Sequence, residues 1–254
     1  LFVVSTSTTT KRLGKRWWFF AAFFLLVFIV LQLPAAWIMA RFAPNNPYID
    51  HVTGNIWAGQ ADWHAQHMQG VLSWQLRPWE LLLLRVSADV ELSVADSQLT
   101  GQVKLGRQFW QVKQLNGQIS AGTLRSVLPW QWPDSPIQIN GLGLRVDQKT
   151  GFDQVDGQLN WGGGSLGYPF EGRIQRAALP PLAGQLALNR ERLHLALTDS
   201  NNGRMGDLYL SPDQMLDVQL TQRLLQNVAG YRGQAGLDTA VVTTRQPLSS
   251  LRGL

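Results

Sequence analysis

Cysteine is absent from all 254 residues. That excludes disulfides, thiol catalysis and cysteine metal sites. A chain of this length does not need such staples, so the absence does not fix the compartment. Acidic residues are missing from the first 40 positions, where Lys11, Arg12, Lys15 and Arg16 all fall. Taking those four from the 22 basic residues leaves 18 against 17 acids, a net of +1 out of the +5 of the whole chain. The body therefore lacks the basic excess that neutralises phosphates, which argues against a nucleic-acid partner. Recognisable catalytic signatures are missing as well: there is no GxSxG elbow, no HExxH and no P-loop. Helical patterning after residue 40 is scarce, with Leu76–Leu84 and Thr221–Val228 as the best candidates, both short.

What stands in the acid-free region is one long apolar run. Residues 17–40, "WWFFAAFFLLVFIVLQLPAAWIMA", carry no charge over 24 positions. As a continuous helix the run would rise about 36 Å, enough for a hydrocarbon core of roughly 30 Å. Trp17, Trp18 and Trp37 lie near its ends, where aromatic belts form, and the preceding basic cluster orients the N-terminus to the cytoplasm. A cleaved signal peptide is the rival, but its apolar region is normally about 7–15 residues and an A-x-A-like site follows it. The expectation is a cytoplasmic tail (1–16), a transmembrane helix (17–40) and a β domain (41–254) on the far side of the membrane.

Beyond residue 40 the period is two. From Leu81 onward Leu82, Leu84, Val86, Ala88, Val90, Leu92 and Val94 alternate with Arg85, Ser87, Asp89, Glu91 and Ser93, which predicts one long half-buried strand. The alternation returns at Leu115–Ile119, Leu142–Val146, Val155–Trp161, Leu193–Leu197 and Leu216–Leu220. Apolar-in, polar-out strands are antiparallel in character. A glycine–polar–apolar device recurs at Gly101, Gly117, Gly157, Gly172, Gly184 and Gly206, read as a bend or bulge where the chain enters a strand. "GGGS" at 162–165 reads as a hairpin turn rather than a phosphate cradle. No predicted helix is long enough to cover a sheet, so the sheet must curl, double into a sandwich, or leave an open groove.

The densest stretch is 52–83, "VTGNIWAGQADWHAQHMQGVLSWQLRPWELLL". Asp62, His64 and His67 are close in sequence, but a strand–turn–strand reading puts the two histidines on opposite faces, against a metal site. Gly54 and Gly59 bracket Trp57, so a ring buried against close backbone is expected there. Pro78 should stop the strand that carries Trp74. Trp79, just past that stop, is the candidate for an exposed docking anchor. All 11 tryptophans lie at or before Trp161.

These motifs carry a resemblance. Val52, Gly54, Ile56, Trp57 and Gly59, then Trp74, Leu76, Pro78 and Leu81, then Gly157 and Trp161, follow in the order and spacing of protein N of the bacterial type II secretion system. The resemblance implies a non-enzymatic, cofactor-free accessory component. It would be held in the inner membrane by one anchor, with its body in the periplasm and other secretion subunits as partners. The family is also similar to β-rich periplasmic proteins with open lipid grooves, so lipid binding or transfer is the alternative. A periplasmic hydrolase is a third reading, with the least support in the residues.

Overall fold

The computed structural model describes residues 15–44, 46–65, 68–81, 84–127, 130–170, 172–228 and 230–248. Most of the expected cytoplasmic tail (1–14), His67 and Leu82 lie outside them.

The apolar run is not one helix. Helix α1 spans Lys15–Leu31 and helix α2 spans Ala35–Phe42. At 17 residues α1 rises about 25 Å, and no helix among the described residues is long and apolar enough to cross a membrane. Pro34 explains the break. It has no N–H to give the Val30 carbonyl, its ring would collide with that turn, and it disfavours helical backbone at Leu33. Pro34 instead sits in extended backbone at the start of α2, with φ −66° and ψ 134°.

The body is an antiparallel meander. Strands β1 (Ile49–Gly54), β2 (Ala58–Ala65), β3 (Met68–Leu76), β4 (Val86–Val94), β5 (Ser97–Leu105), β6 (Phe109–Ile119), β7 (Ile137–Asp147) and β8 (Gly151–Trp161) pair in chain order. Strands β9 (Gly164–Phe170) and β10 (Arg173–Leu179) form a separate two-stranded sheet. The ladder resumes with β11 (Leu182–Asn189), β12 (Arg192–Asp199), β13 (Arg204–Leu210), β14 (Met215–Thr221) and β15 (Ala240–Pro247), making one 13-stranded sheet that ends at β1 and β15. Among the described residues those two ends do not pair, so the sheet they form is open and not a closed barrel.

Register keeps the apolar phase continuous. Val103, Val112, Leu144 and Val155 are successive cross-strand partners over β5–β8, and Leu186, Leu195, Leu208 and Val218 over β11–β14. Most of these side chains are only half-buried, as expected of a single layer; Val155 and Leu186 are the fully buried members. A sandwich would have buried the whole inner phase.

Three sequence expectations are corrected. The strand read from Leu81 begins only at Val86: Pro78 opens a short helix, α3 (Pro78–Leu81), a position where its missing N–H costs nothing. Leu84 then takes φ 55° and is 90% exposed. The glycine device marks strand interiors rather than strand starts, except at Gly172: Gly101, Gly117, Gly157, Gly184 and Gly206 lie within strands. Several accompany bulges, as between Thr100 and Gln102. "GGGS" is no hairpin turn, because it carries the chain out of the large sheet from β8 into β9.

A meander has two ends. At one lie the β1–β2, β3–β4, β5–β6, β7–β8, β11–β12 and β13–β14 connections, the longest of them holding α3. At the other lie the elaborations: helix α4 (Ala121–Val127), residues 130–136, the β9–β10 hairpin and helix α5 (Gln222–Leu225). These far-end pieces are stitched together by bridges from Gln131 to Gly167 and from Ala177 to Val228. Their contacts bury Leu166, Ala177, Thr221 and Gln222.

Candidate functional site

The first two motifs meet where the apolar helix joins the sheet. Gly54 ends β1 at φ +83°, where a Cβ would stand 2.5 Å from the Ala58 carbonyl oxygen; only glycine makes that turn without strain. Asn55 Oδ1 accepts from the backbone N–H groups of Trp57 and Ala58, both at 2.9 Å. This side chain closes the turn locally. The turn then reaches the helix break. Ile56 N–H donates to the Leu33 carbonyl at 3.1 Å, and Pro34 bridges Asn55. The Trp57 indole Nε1–H donates to the Val30 carbonyl at 3.1 Å.

That last bond answers a vacancy created by sequence. Val30 is the acceptor that Pro34 cannot serve, and a helix carbonyl stripped of its partner needs another. Trp57 supplies one from the sheet. Trp57 is therefore a tie between sheet and helix, half-buried, and not the core ring expected from its flanking glycines.

Trp74 locks the same turn from β3. Its Nε1–H donates to the Ile56 carbonyl at 3.2 Å, and its ring lies over Gly59, where a Cβ would come within 2.5 Å of the ring and 2.6 Å of the Thr53 carbonyl. Leu76 N–H donates to the Trp57 carbonyl at 2.6 Å. Val52 lies half-buried on β1, paired with Ala61. Gly59 and Trp74 thus meet across the two motifs, Trp57 reaches the helix, and Gly54 turns the chain within the first motif.

Past Pro78 the connection turns outward. Trp79 is 79% exposed. Its neighbour Glu80 takes an ion pair from Lys104 Nζ at 2.7 Å. The Lys104 hydrogen bond holds the Glu80 carboxyl below the usual glutamate range, against a partial loss of solvent. Asp89 holds Arg77 through two bonds of 2.9 Å, and that contact raises the guanidinium further.

The third motif stands apart, at the far end. Trp161 is buried, donates its indole N–H to the Ser135 carbonyl at 3.2 Å, and meets Trp132 edge-on at 6.2 Å between centroids. Trp132 stacks in turn on Trp130 at 5.7 Å. Gly157, lower on the same strand, packs under the backbone of Leu142. His64 pairs with Asp50 at 2.7 Å, while Asp62 is exposed. Among the described residues no group of three or more His, Asp and Glu stands together.

On the polar phase of β1–β6 the sheet forms a shallow trough of about 710 Å³. Thr53, Gln60, Ser73, Glu91, Thr100 and Asn116 cross it as successive ladder partners. Sequence reading missed this trough, as well as Asn55 and the role of Pro34. Asn after Gly in a turn is a legible signal; a carbonyl left open 27 residues before its eventual donor is not.

Fold and junction together define a class: a single-layer β meander tied at one end to an apolar N-terminal helix. Residues 48–249 match the family described as Type II secretion system (T2SS), protein N, and the chain belongs to that family. Membership gives it an accessory role in type II secretion. Neither a curated protein nor a solved structure matches the chain.

Proposed function

We propose that this chain is a non-enzymatic accessory component that the apolar run anchors in the inner membrane, with the β domain on the periplasmic side, where it docks other secretion subunits. The observation that carries the reading is the junction, in which Trp57 and Ile56 clasp the helix break. Such a clasp passes the helix's position directly to the sheet. The character of α1 supports anchoring: its residues from Trp17 to Leu26 are all exposed, and Trp18 and Phe19 are at least 74% so. A helix apolar on every side needs an apolar surrounding, although past Lys15 and Arg16 α1 alone is shorter than the roughly 17–25 apolar residues that cross a bilayer. The test is in-cell photocrosslinking from Gln75 and Gln102 in the polar trough, with mass spectrometry of adducts. Adducts to other secretion subunits support docking, and their absence from every trough position counts against it.

A second reading, lipid binding along the sheet, is favoured by the continuous half-buried apolar phase from β3 to β14. Crosslinkers at Leu144 and Leu208 that capture phospholipid would move the assignment toward lipid transfer.

A further inference from the structure

At the helix end of the ladder the exposed side chains are unusually apolar. Leu84 and Trp79 stand 90% and 79% exposed on the β3–β4 connection. Beside them Val86, Leu105 and Trp110 are direct cross-strand partners over β4, β5 and β6, and each is exposed. The apolar phase therefore does not stop at a polar boundary here; it runs out through the end of the sheet. Isolated exposed hydrophobics need no explanation, but a contiguous set does. At the far end Val94, Ala121 and Trp161 are buried, although Tyr48 and Ile174 stand exposed there.

Three observations say what covers this rim. First, it lies at the same end as the β1–β2 turn, which Trp57 and Ile56 fasten to the apolar helix; the Leu76–Trp57 bond joins that turn to β3. Second, the three turns nearest the rim, β3–β4, β5–β6 and β7–β8, carry the exposed bases Arg85, Arg107 and Lys149, while the exposed acids of this end, Glu191 and Asp213, sit on the more distant β11–β12 and β13–β14 turns. The β4–β5 turn at the opposite end carries an exposed acid, Asp96. Third, the side-chain classes match. Tryptophan beside aliphatic residues, with arginine and lysine at the edge, suits the boundary between acyl chains and anionic headgroups.

We infer that this rim, formed by Trp79, Leu84, Val86, Leu105 and Trp110, seats the β domain on the outer surface of the lipid bilayer, as a membrane contact additional to the helix. Trp79 then meets lipid rather than a protein partner. Surfaces of this kind enter the headgroup and acyl boundary by about 5–10 Å. The sheet is held end-on to the membrane, and its apolar phase opens where lipid is nearest. The inference rests on the anchoring reading above.

The chain has no cysteine, so single labels are clean. The full chain carrying Leu84→Cys, or Asp96→Cys as the far-end control, is labelled with an environment-sensitive fluorophore. It is then reconstituted in phosphatidylethanolamine–phosphatidylglycerol vesicles prepared with iodide on both sides or with nitroxide-bearing lipid. The expected result is lipid quenching and loss of iodide quenching at position 84, with the reverse at position 96. A label at 84 that iodide reaches and lipid does not, in protein that floats with the vesicles, overturns the rim assignment alone. Protection from both quenchers that disappears on dilution in the membrane means a second copy covers the rim, and also overturns it. Failure of the unmodified chain to float defeats the anchoring reading itself, before any label is read.

Discussion

The two ends of this sheet are made from the same alternating strands and finished in opposite ways. At the far end a tryptophan, Trp161, is buried, bonded to Ser135 and enclosed by Trp132 and neighbouring backbone. At the helix end Trp79 stands in the open, and Trp57 spends its indole N–H on a carbonyl of another element. A large aromatic ring in a β protein is therefore not one kind of residue. What surrounds it, protein layer or no layer, decides whether it stabilises the domain or equips a surface.

The largest effect expected from this contrast is at Trp161. Trp161→Ala opens a cavity beneath the far-end cover and should cost about 3–5 kcal/mol, read as an early thermal melt of the full chain in detergent. Trp79→Ala, by contrast, should stay within about 0.5 kcal/mol of the parent. Equal melting of the two variants would erase the distinction between the ends.

Next comes the packing of one motif upon the other. Gly59→Ala forces a methyl against the Trp74 ring and the Thr53 carbonyl. The ring can shift, but the β1 backbone cannot without breaking the ladder. Overpacking of this kind costs about 1–3 kcal/mol. The same melt, with near-ultraviolet circular dichroism to follow the Trp74 environment, checks it.

A smaller effect isolates the junction itself. Trp57→Phe keeps a ring and removes the donor to Val30, a loss of about 1 kcal/mol. Pro34→Ala restores an N–H that can serve Val30 from within the helix. In the Pro34→Ala background the Trp57→Phe change should therefore cost less. Denaturant melts of the two single variants and the double variant give the coupling; strict additivity would mean the bond does not tie sheet to helix.

Much of this architecture was legible beforehand, for physical reasons. Period-two alternation is a direct consequence of strand geometry, so the strands containing Val90, Leu144, Leu159, Leu195 and Val218 could be read from the residues. Failures came where a local element interrupts the alternation. Leu82 and Leu84 keep the phase of Val86, yet Pro78 launches a helical turn that removes Leu84 from the strand. The apolar run failed similarly: hydrophobicity continues through Pro34, but the helical hydrogen-bond ladder does not. The junction was half legible. Gly54, Trp57, Gly59 and Trp74 were singled out, but the bond from Trp57 to Val30 joins positions 27 apart, and no periodicity encodes it.

The smallest effect concerns pH at the helix end. The hydrogen bond and charge of Lys104 lower the folded-state pKa of Glu80. For a carboxyl whose pKa is depressed by folding, the stabilisation is complete above the unfolded value. It is lost as pH falls through the folded one, because the unfolded state takes up the proton first. The pair is partly open to water, so solvent screens it and its contribution is modest. Its signature is a slope and not a large loss at neutral pH. Lys104→Met removes the cause of the shift. The melting temperature of this variant should therefore fall less steeply than that of the parent between neutral pH and the acid side of the usual glutamate range. The two curves should converge at the acid end, where the parent's Glu80 is also protonated. Parallel curves over the whole range would mean that the Glu80–Lys104 bond does not fasten α3 to the sheet in solution, and that the connection bearing Trp79 and Leu84 is held by the Arg77–Asp89 pair and its backbone bonds.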